Sequence, residues 1–467
     1  MTSMIDTLAL LGDRRTVERL PAFHIDHVTD SKGLAAYHAL RQRVFVCEQG
    51  LFQGHDLDER DADPRTEVLV AKDRGGRILG GVRLYPAVPD SDIGWWIGGR
   101  LVVEPAARRS GVGIGAALAR AACARAEAAG ALRFEATVQT CNEALFTRWG
   151  WSRVRIVTTA GVPHVLMRWP IKRIAALASA TKAALGPLLD GIRPGGRGFV
   201  GDDAAPVPRT DLVATCDAIL PSMVEREPEW AGWCGVLVNL NDLAAMGARP
   251  LGLLDGLAAR DQSFAARVLA GLRRACQAYD VPLLGGHTQL GVPAALTMTA
   301  LGRTADPVPG GGGRPGHRVR LTADLGGGWR PCHTGRQWDS TTCRRTPELR
   351  AMLDFVAAAR PAAAKDVSMA GIAGTLGMLA EASGCGAVLD VARVPRPAQA
   401  TVGDWLTCFP GFAILTADWP SGALPFARPA TSAICGELVS GRGVALRWPD
   451  GELTDAIDGG VTGLGNA

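Results

Sequence analysis

The chain has 467 residues, more than the roughly 250–300 at which a single hydrophobic core usually stops growing, so two or three domains are expected. Hydrophobic residues make up 47% and charged residues 21%, which is typical of a folded globular protein and excludes a disordered chain. The formal net charge of +4 is too small to indicate a nucleic-acid or anionic-membrane partner.

The cysteines and the first residues indicate the compartment. The 11 cysteines are scattered without a CxxC pair, which predicts reduced thiols. The opening MTSMIDTLALLGDRR contains an apolar stretch that is too short for a signal peptide. Lys182 interrupts the most apolar helical segment, so no membrane span is expected. We therefore expect a cytoplasmic protein.

Helix and strand patterns alternate from residue 36 to residue 169. AYHALRQRVFVCEQ has apolar residues three and four apart, which predicts a helix. EVLVAKD and RILGGVRLYP follow, joined by DRGG, and predict an antiparallel hairpin. His24 and His27 lie just before this region; with no third ligand in view, they are expected in a surface loop.

The same region continues with a strand, RLVVEP, and a helix, IGAALARAACARAEAAG, which Gly130 closes. The strand LRFEATVQ, a short helix ending at Gly150 and the last strand HVLMRW complete it. The pattern predicts an α+β domain with a central sheet.

The sequence pattern changes after Pro170. A basic helical segment leads into glycine and proline, and is expected to be a connector. From Gly201 onward short strands alternate with helices, which predicts an α/β arrangement. Residues 306–317, DPVPGGGGRPGH, predict a hinge or a loop within this second half.

Glycines at alternate positions, Gly111, Gly113 and Gly115, join a strand to the alanine-rich helix. Main-chain N–H groups at a helix start bind anions, and glycine lets that backbone approach closely. The spacing partly fits a dinucleotide fingerprint, with Glu135 about twenty residues on. However, EPAARRS separates the glycines from the strand, and no Gly-Lys-Ser/Thr follows for a P-loop. The pyrophosphate of coenzyme A remains the third possibility.

Arg108, Gly111 and Gly113 form R-x-x-G-x-G, and in these residues the segment resembles the GNAT acetyltransferases. The resemblance covers about residues 36–169 and includes VQTCNEALFTRWGW and RVFVCEQGLF. It implies the GNAT fold and acetyl-CoA as the acyl donor. The residues implied at acetyl-CoA are Leu101, Val103, Arg108, Arg109, Gly111, Val112, Gly113, Ile114, Gly115 and Asn142.

Acyl transfer to an amine requires a base for the amine proton and an acid for the leaving thiolate. The position that commonly carries an acidic tyrosine in this family is Phe146, which has no proton to give. Glu67, Glu48 and Glu135 are candidate bases, and Cys141 is a candidate replacement for the tyrosine. Ion-paired carboxylates and a buried thiol are the alternatives at these positions.

Aspartates recur in the second half next to small residues, in GDDAA, VATCDAI, NLNDLAAMGARP and KDVSMAG. One aspartate at a turn is usually a cap, but repeated aspartates indicate a shared role. Oxygen ligands suit Mg²⁺, which binds nucleotides through one or two carboxylates and the phosphates themselves. The pattern therefore predicts a site for a nucleotide with Mg²⁺.

These segments resemble the AIR synthase superfamily, which includes thiamine-monophosphate kinase and selenophosphate synthetase, over about residues 185–460. The resemblance implies two α/β subdomains, a homodimer formed through sheets, and ATP bound with Mg²⁺. Ser368 and His287 are implied on the ATP side. The residues implied at the metal are Asp203, Thr215, Asp217, Asp242 and Asp366.

Four features depart from the superfamily pattern, of which Asn241, in place of the usual serine, is the mildest. His287 stands where an aspartate is usual, Met369 replaces a second aspartate, and no substrate histidine is found near Val224. Loss of two carboxylates weakens a site for several Mg²⁺ ions. We therefore expect ATP binding with fewer metal ions, or a different phosphoryl-transfer reaction from thiamine-phosphate phosphorylation.

The expected domains are an acetyltransferase-like domain at 1–170, a helical linker at 171–190, and two AIR-synthase-like subdomains at 191–305 and 306–467. The whole arrangement resembles the fused proteins of bacterial nitrilase-containing nitrogen-scavenging clusters. It predicts a bifunctional enzyme that acylates a small amine and uses ATP. The alternative is a non-catalytic sensor or scaffold that binds acetyl-CoA and ATP.

Overall fold

The computed structural model describes residues 23–108, 113–420 and 427–467. The chain separates into two compact units, Met1–Ile171 and Lys172–Ala467. Along the three described stretches, no helix combines the length and the apolar character that crossing a membrane requires.

The first unit is a seven-stranded sheet with helices on both faces. Its strands are β1 His24–His27, β2 Glu67–Lys72, β3 Ile78–Pro86, β4 Trp95–Val103, β5 Arg133–Gln139, β6 Ser152–Thr159 and β7 Val162–Trp169. Its helices are α1 Ser31–Arg41, α2 Pro105–Arg108, α3 Ile114–Ala128 and α4 Glu143–Arg148. The strand order is β1-β2-β3-β4-β5-β7-β6, and the β4–β5 pair is parallel while the others are antiparallel.

Two neighbouring glycines allow α1 and α3 to approach opposite faces of β3. A Cβ on Gly81 would lie 2.6 Å from the Tyr37 ring of α1. A Cβ on Gly80 would lie 3.1–3.2 Å from Leu118 and Ile114 of α3, and 2.8 Å from the Val102 carbonyl of the adjacent strand. Because successive strand residues point to opposite faces, the LGGV sequence permits close helix packing on both sides.

Most predicted elements of this unit are confirmed, including the β2–β3 hairpin and the helix before Gly130. The first predicted helix is α-helical only to Arg41 and continues as a π-helix over Gln42–Glu48. The expectation of a surface loop at His24 and His27 is wrong, because these residues form β1, which pairs with β2.

The second unit contains two main sheets. The five-stranded sheet, in the order β11-β10-β12-β9-β8, comprises β8 Ala205–Pro206, β9 Leu212–Ile219, β10 Arg249–Ala259, β11 Leu283–Leu290 and β12 Ala295–Arg303. The seven-stranded sheet comprises β13 Arg318–Ala323, β16 Ala363–Asp366, β17 Gly386–Asp390, β18 Ala413–Asp418, β19 Thr431–Val439, β20 Val444–Arg447 and β21 Leu453–Ile457. Its order is β16-β18-β13-β19-β17-β20-β21, and β14 Gly328–Trp329 pairs separately with β15 Trp338–Asp339.

The helices of the second unit include one that is buried along most of its length. They are α5 Arg173–Lys182, α6 Leu185–Leu188, α7 Pro221–Arg226, α8 Pro228–Ala245, α9 Gln262–Tyr279, α10 Thr346–Leu353, α11 Phe355–Ala359, α12 Gly371–Ala382 and α13 Val402–Thr407. Helix α8 is apolar on nearly all sides and packs against β9, β12 and β16. This burial places Asp242, near its carboxyl end, between the two sheets.

The glycine-rich segment 306–317 was predicted to be either a hinge or a loop, and it is a packed loop. The Gly310 N–H donates to Asp202 Oδ2 at 2.9 Å. A Cβ on Gly312 would lie 1.9 Å from the Ala362 carbonyl oxygen, so no larger residue fits there without a shift.

Candidate functional site

A cavity of about 290 Å³ lies in the first unit where β4 and β5 separate. The parallel ladder joins only Trp95–Gly98 to Arg133–Ala136. Beyond the ladder, Arg100 and Leu101 of β4 and Thr137 of β5 line the cavity. The opening therefore lies between two strands that start side by side and then diverge.

One wall of the cavity is charged. Arg83 donates to both carboxylate oxygens of Asp58, at 2.7 and 2.8 Å, and Arg100 donates to Asp58 at 3.1 Å. Burial opposes ionisation of Asp58, but the hydrogen bonds and charges of the two arginines outweigh it and hold its pKa below the usual value. Behind this wall the buried Arg41 binds Asp56 at 2.7 Å, so the charges are compensated within the fold.

Some of the residues predicted to bind acetyl-CoA meet at this cavity. Leu101 and Asn142 line it. Arg108 lies outside it: its Nε donates to the Val103 carbonyl at 2.8 Å, and its guanidinium pairs with Glu48 at 2.7 and 3.0 Å. Arg109, Gly111 and Val112 were also predicted to contact the anion, and these three residues lie outside the described stretches.

The part of the glycine motif that the structure describes, Gly113–Gly115, has a geometry that can bind an anion. Gly113 has a left-handed backbone, with φ of 74°, directly before α3, and no atom lies within 4 Å of a Cβ built on it. Ile114 is buried in the core, so α3 is anchored at its first residue, and Gly115 follows. The first N–H groups of a helix have no partner within it and carry the positive end of its dipole. A phosphate group fits this position.

None of the four predicted catalytic side chains is among the described residues that line the cavity, and Glu48 pairs with Arg108 instead. Both oxygens of Glu67 accept hydrogen bonds from Arg125. Glu135 is buried, with Arg133 at 3.0 Å and Arg168 against its other oxygen. These contacts favour structural roles for the three glutamates over the predicted role as a base.

The remaining candidate, Cys141, is exposed, and its Sγ lies 3.8 Å from Gln139 Oε1. Phe146 does line the cavity and packs on Trp151, with ring centroids 5.5 Å apart. Sequence reasoning missed His164, a buried residue of β7 that also lines the cavity. A histidine directly before the apolar run Val165–Met167 of this strand was the available signal.

In the second unit the predicted aspartates converge from four separate segments. Asp203 Oδ2 accepts a hydrogen bond from the Asp366 main-chain N–H at 2.9 Å. The Thr215 hydroxyl of β9 donates to Asp242 Oδ2 of α8 at 2.5 Å. Asp217, also on β9, is close enough to Asp242 for each to affect the other's ionisation. The structure thus brings the five predicted metal residues together.

Three carboxylates of this cluster, Asp217, Asp242 and Asp366, have raised pKa values. Burial raises the pKa of Asp242 well above its usual value, and the charges of Asp366, Asp217 and Asp203 raise it further. Burial likewise raises the pKa of Asp366, with Asp203 and Asp217 adding to the effect. Burial is also the main cause of the raised pKa of Asp217. A cation would relieve this accumulation of negative charge.

Three neighbours that the sequence did not single out belong to the same site. The buried Lys365 ammonium donates to Asp203 Oδ1 and to the Gly201 carbonyl, both at 3.0 Å. Burial raises the pKa of Asp202 to about 6, although Lys365 opposes the shift. Burial raises the pKa values of Asp217 and Asp366, and the charge of Lys182, at the end of α5, opposes this rise.

The two residues predicted on the ATP side have different positions. The Ser368 hydroxyl, two residues after Asp366, is buried without a hydrogen-bond partner among the described residues. His287 is exposed on β11, and two strands lie between it and β9. At about 4.8 Å per strand, that places it roughly 14 Å from Asp217, so it does not join the cluster.

Within 23–108, 113–420 and 427–467, no three His, Cys, Asp or Glu side chains are arranged to hold a metal ion. Carboxylate oxygens are nevertheless the donors that Mg²⁺ prefers, and Mg²⁺ commonly takes only one or two of them together with phosphate oxygens. The donor set therefore fits a metal that arrives with a nucleotide.

Family models match the chain in three segments. The N-terminal domain of AIR synthase related protein matches residues 201–304, and the C-terminal domain matches residues 314–446. The acetyltransferase (GNAT) family matches residues 36–151. These matches lie within the two segments, 36–169 and 185–460, in which the sequence predicted the two resemblances.

An uncharacterized protein of Synechocystis is 33% identical over 262 residues, which are 55% of this chain and 80% of that protein. A thiamine-monophosphate kinase of Halobacterium salinarum is 32% identical over 206 residues, 42% of this chain and 69% of the kinase. The solved structure of T. maritima PurL complexed with ADP has a TM-score of 0.51 at 16% identity, over 64% of this chain and 52% of that one. The structural likeness shows a shared fold.

Proposed function

Since this chain belongs to the AIR synthase related protein family and also carries a GNAT acetyltransferase domain, we propose that it is a bifunctional enzyme. The first unit transfers an acetyl group from acetyl-CoA to the nitrogen of a small amine. The second unit binds ATP with Mg²⁺ and transfers a phosphoryl group or uses ATP to activate a ligand. A nitrogenous metabolite is the proposed acceptor class.

The separation of β4 and β5 at the cavity carries the acetyltransferase proposal. Strands that stop pairing leave main-chain N–H and C=O groups available, and the extended pantetheine arm can use such groups. Gly113 and the start of α3 would hold the pyrophosphate. Asn142 and Leu101 at the cavity would lie beside the thioester end. A cavity of about 290 Å³ suits a small acceptor.

The carboxylate cluster carries the proposal for ATP. Asp203, Asp217, Asp242 and Asp366 would hold Mg²⁺ together with the nucleotide phosphates, and Mg²⁺ would neutralise developing charge during transfer. The Ser368 hydroxyl, unpartnered among the described residues, is available to a phosphate oxygen. A relative of this chain is a thiamine-monophosphate kinase, which supports a kinase-type use of ATP.

Thermal unfolding of the intact protein with acetyl-CoA, with ATP and Mg²⁺, and with NAD tests both halves. A ligand at 100 times its dissociation constant stabilises the native state by about 2.7 kcal/mol. We expect stabilisation by acetyl-CoA and by ATP with Mg²⁺. Asp242→Asn should abolish only the ATP effect, while Asp211→Asn, whose exposed carboxylate pairs with Arg303, is the matched control.

Turnover separates an enzyme from a sensor. Release of free CoA with a panel of small amines, and formation of ADP with the same panel, would establish the two activities. Tight binding of both ligands without any turnover would instead support the non-catalytic sensor. Stabilisation by NAD alone would contradict the acetyltransferase assignment of the glycine motif.

We also propose a homodimer that forms through the five-stranded sheet. Leucines of its edge strand β11 and of the neighbouring strand β10 are exposed: Leu251, Leu254, Leu283, Leu284 and Leu290. Exposed apolar patches of this kind commonly mark protein interfaces. Light scattering should give twice the monomer mass, and Leu254→Lys with Leu284→Lys should give the monomer; an unchanged mass would contradict the proposed face.

A further inference from the structure

His164 lies in the cavity of the first unit at a position that no predicted role covers. It belongs to β7, is only 4% exposed, and lines the cavity with Thr159 and Asn142. Its register partner on β5 is Gln139, which lines the same cavity. Directly opposed residues of paired strands project to the same side, so the sheet itself fixes the place of the ring.

The hydrogen bond on one ring nitrogen determines the state of the other. His164 Nδ1 lies 2.9 Å from the Val162 carbonyl oxygen. A carbonyl oxygen only accepts hydrogen bonds, so Nδ1 must carry the proton. In the neutral ring Nε2 then has the free electron pair, and it can accept a proton.

Two other cavity residues could accept a proton in principle, and both are poor bases here. The carboxylate of Asp58 receives hydrogen bonds from Arg83 and Arg100. Although burial opposes ionisation of Asp58, these arginines keep its pKa low. Burial raises the pKa of Tyr85, although Arg83 opposes the shift, so its phenol stays protonated. His164 remains.

We propose that His164 Nε2 is the general base of the acetyl transfer in the first unit, an inference that rests on the proposed acetyltransferase function. The amine nitrogen attacks the thioester carbonyl carbon, and its proton passes to Nε2. As the C–S bond breaks, the imidazolium returns that proton to the leaving sulfur. The products are an amide and CoA, and no further reactant is needed. The imidazolium of His164 thereby supplies the proton that Phe146 cannot give.

The kinetic test compares the wild type with His164→Gln in the intact chain, using acetyl-CoA and the amine of the panel that is acetylated fastest. We expect kcat to fall by at least about 100-fold, the usual contribution of a general base, while KM for acetyl-CoA is unchanged. Imidazole in solution should restore part of the rate of His164→Ala. His27→Gln, which changes an exposed histidine of β1, should keep the wild-type kcat.

A chemical test does not depend on turnover. Diethyl pyrocarbonate acylates unprotonated histidine nitrogens, so the peptide that contains His164 should be modified, and acetyl-CoA should slow this modification while leaving that of His27 unchanged.

The outcomes distinguish the two proposals. A wild type that acetylates no amine would refute the proposed acetyltransferase function. An active wild type with equal kcat in His164→Gln would refute only the role of His164. Modification of His164 that acetyl-CoA does not slow would place the ring away from the acyl donor and overturn the inference as well.

Discussion

Replacement of Asp202 by asparagine is expected to stabilise the second unit at neutral pH. The Asp202 side chain is 1% exposed, and its Oδ2 accepts a hydrogen bond from the Gly310 N–H at 2.9 Å. Its Oδ1 has no hydrogen-bond partner among the described residues and lies 3.9 Å from Lys365 Nζ. An amide keeps the acceptor for Gly310 but cannot ionise. The variant therefore removes the cost of holding a charge in this place.

The magnitude follows from the pKa of Asp202, which burial raises from 3.8 to about 6. At 1.36 kcal/mol per pKa unit, the ionised form costs about 3 kcal/mol in the folded state. Because the folded pKa is the higher one, the native state holds its proton longer, and the free energy of unfolding falls as pH rises from about 4 to about 6 and beyond. About 1.4 kcal/mol of this fall lies between pH 5 and pH 8.

Urea unfolding of the intact wild type and of Asp202→Asn at about pH 5 and about pH 8 measures this change in the transition of the second unit. The free energy of unfolding of the variant, relative to that of the wild type, should increase by about 1.4 kcal/mol from pH 5 to pH 8. Asp211→Asn, at an exposed ion pair, should change stability by less than about 0.5 kcal/mol at both values. A difference for Asp202→Asn that is the same at both pH values would refute the reasoning.

Three further predictions concern the first unit. Arg83→Met should destabilise it by about 3–5 kcal/mol in thermal unfolding, because Asp58 and Asp61 lose a buried partner; an unchanged melting temperature would contradict this. Glu135→Gln should lower stability and leave kcat of the folded protein unchanged, whereas a lost kcat at full stability would restore its predicted role as a base. Gly113→Ala should lower the free energy of unfolding by about 1–2 kcal/mol and weaken the binding of acetyl-CoA measured by calorimetry. Gly76→Ala, at a similar positive φ in an open turn, should lower the free energy of unfolding by as much without changing the affinity for acetyl-CoA.

Local sequence signals were sufficient for the central elements of the first unit and insufficient at its edges. The helix α3 was predicted because alanine-rich sequence runs between Gly113 and Gly130. Strands β1 and β6 were missed, and they are the two outermost strands of the sheet. Edge strands have one ladder and more exposed residues, so their sequences carry a weaker alternation of buried and exposed positions. The resemblances to both families are confirmed by the matches at 36–151, 201–304 and 314–446.

The site residues that lie in local motifs were likewise predicted from the sequence, and their partners from distant segments were not. The aspartates of the second unit were predicted together because each follows a recognisable motif. The partners that bind the carboxylates of Glu67 and Glu135 could not be predicted, because Arg125 and Arg168 lie 58 and 33 residues away along the chain. The place of His164 depends on its register with β5. Contacts between distant segments are therefore the part of both sites that required the structure.

Charge compensation distinguishes the acids that support the fold from those that serve a ligand. Glu135 is as deeply buried as Asp242, but arginines bind both of its oxygens, so its charge is balanced within the protein. Asp242 and Asp366 face other carboxylates, and burial together with these charges raises both pKa values. Folding alone would favour asparagine at such positions, since an amide fills the same space without repulsion. The carboxylates thus lower the stability of the unliganded unit, and a bound cation would remove this cost, which is the physical reason for proposing a nucleotide with Mg²⁺ at the second site.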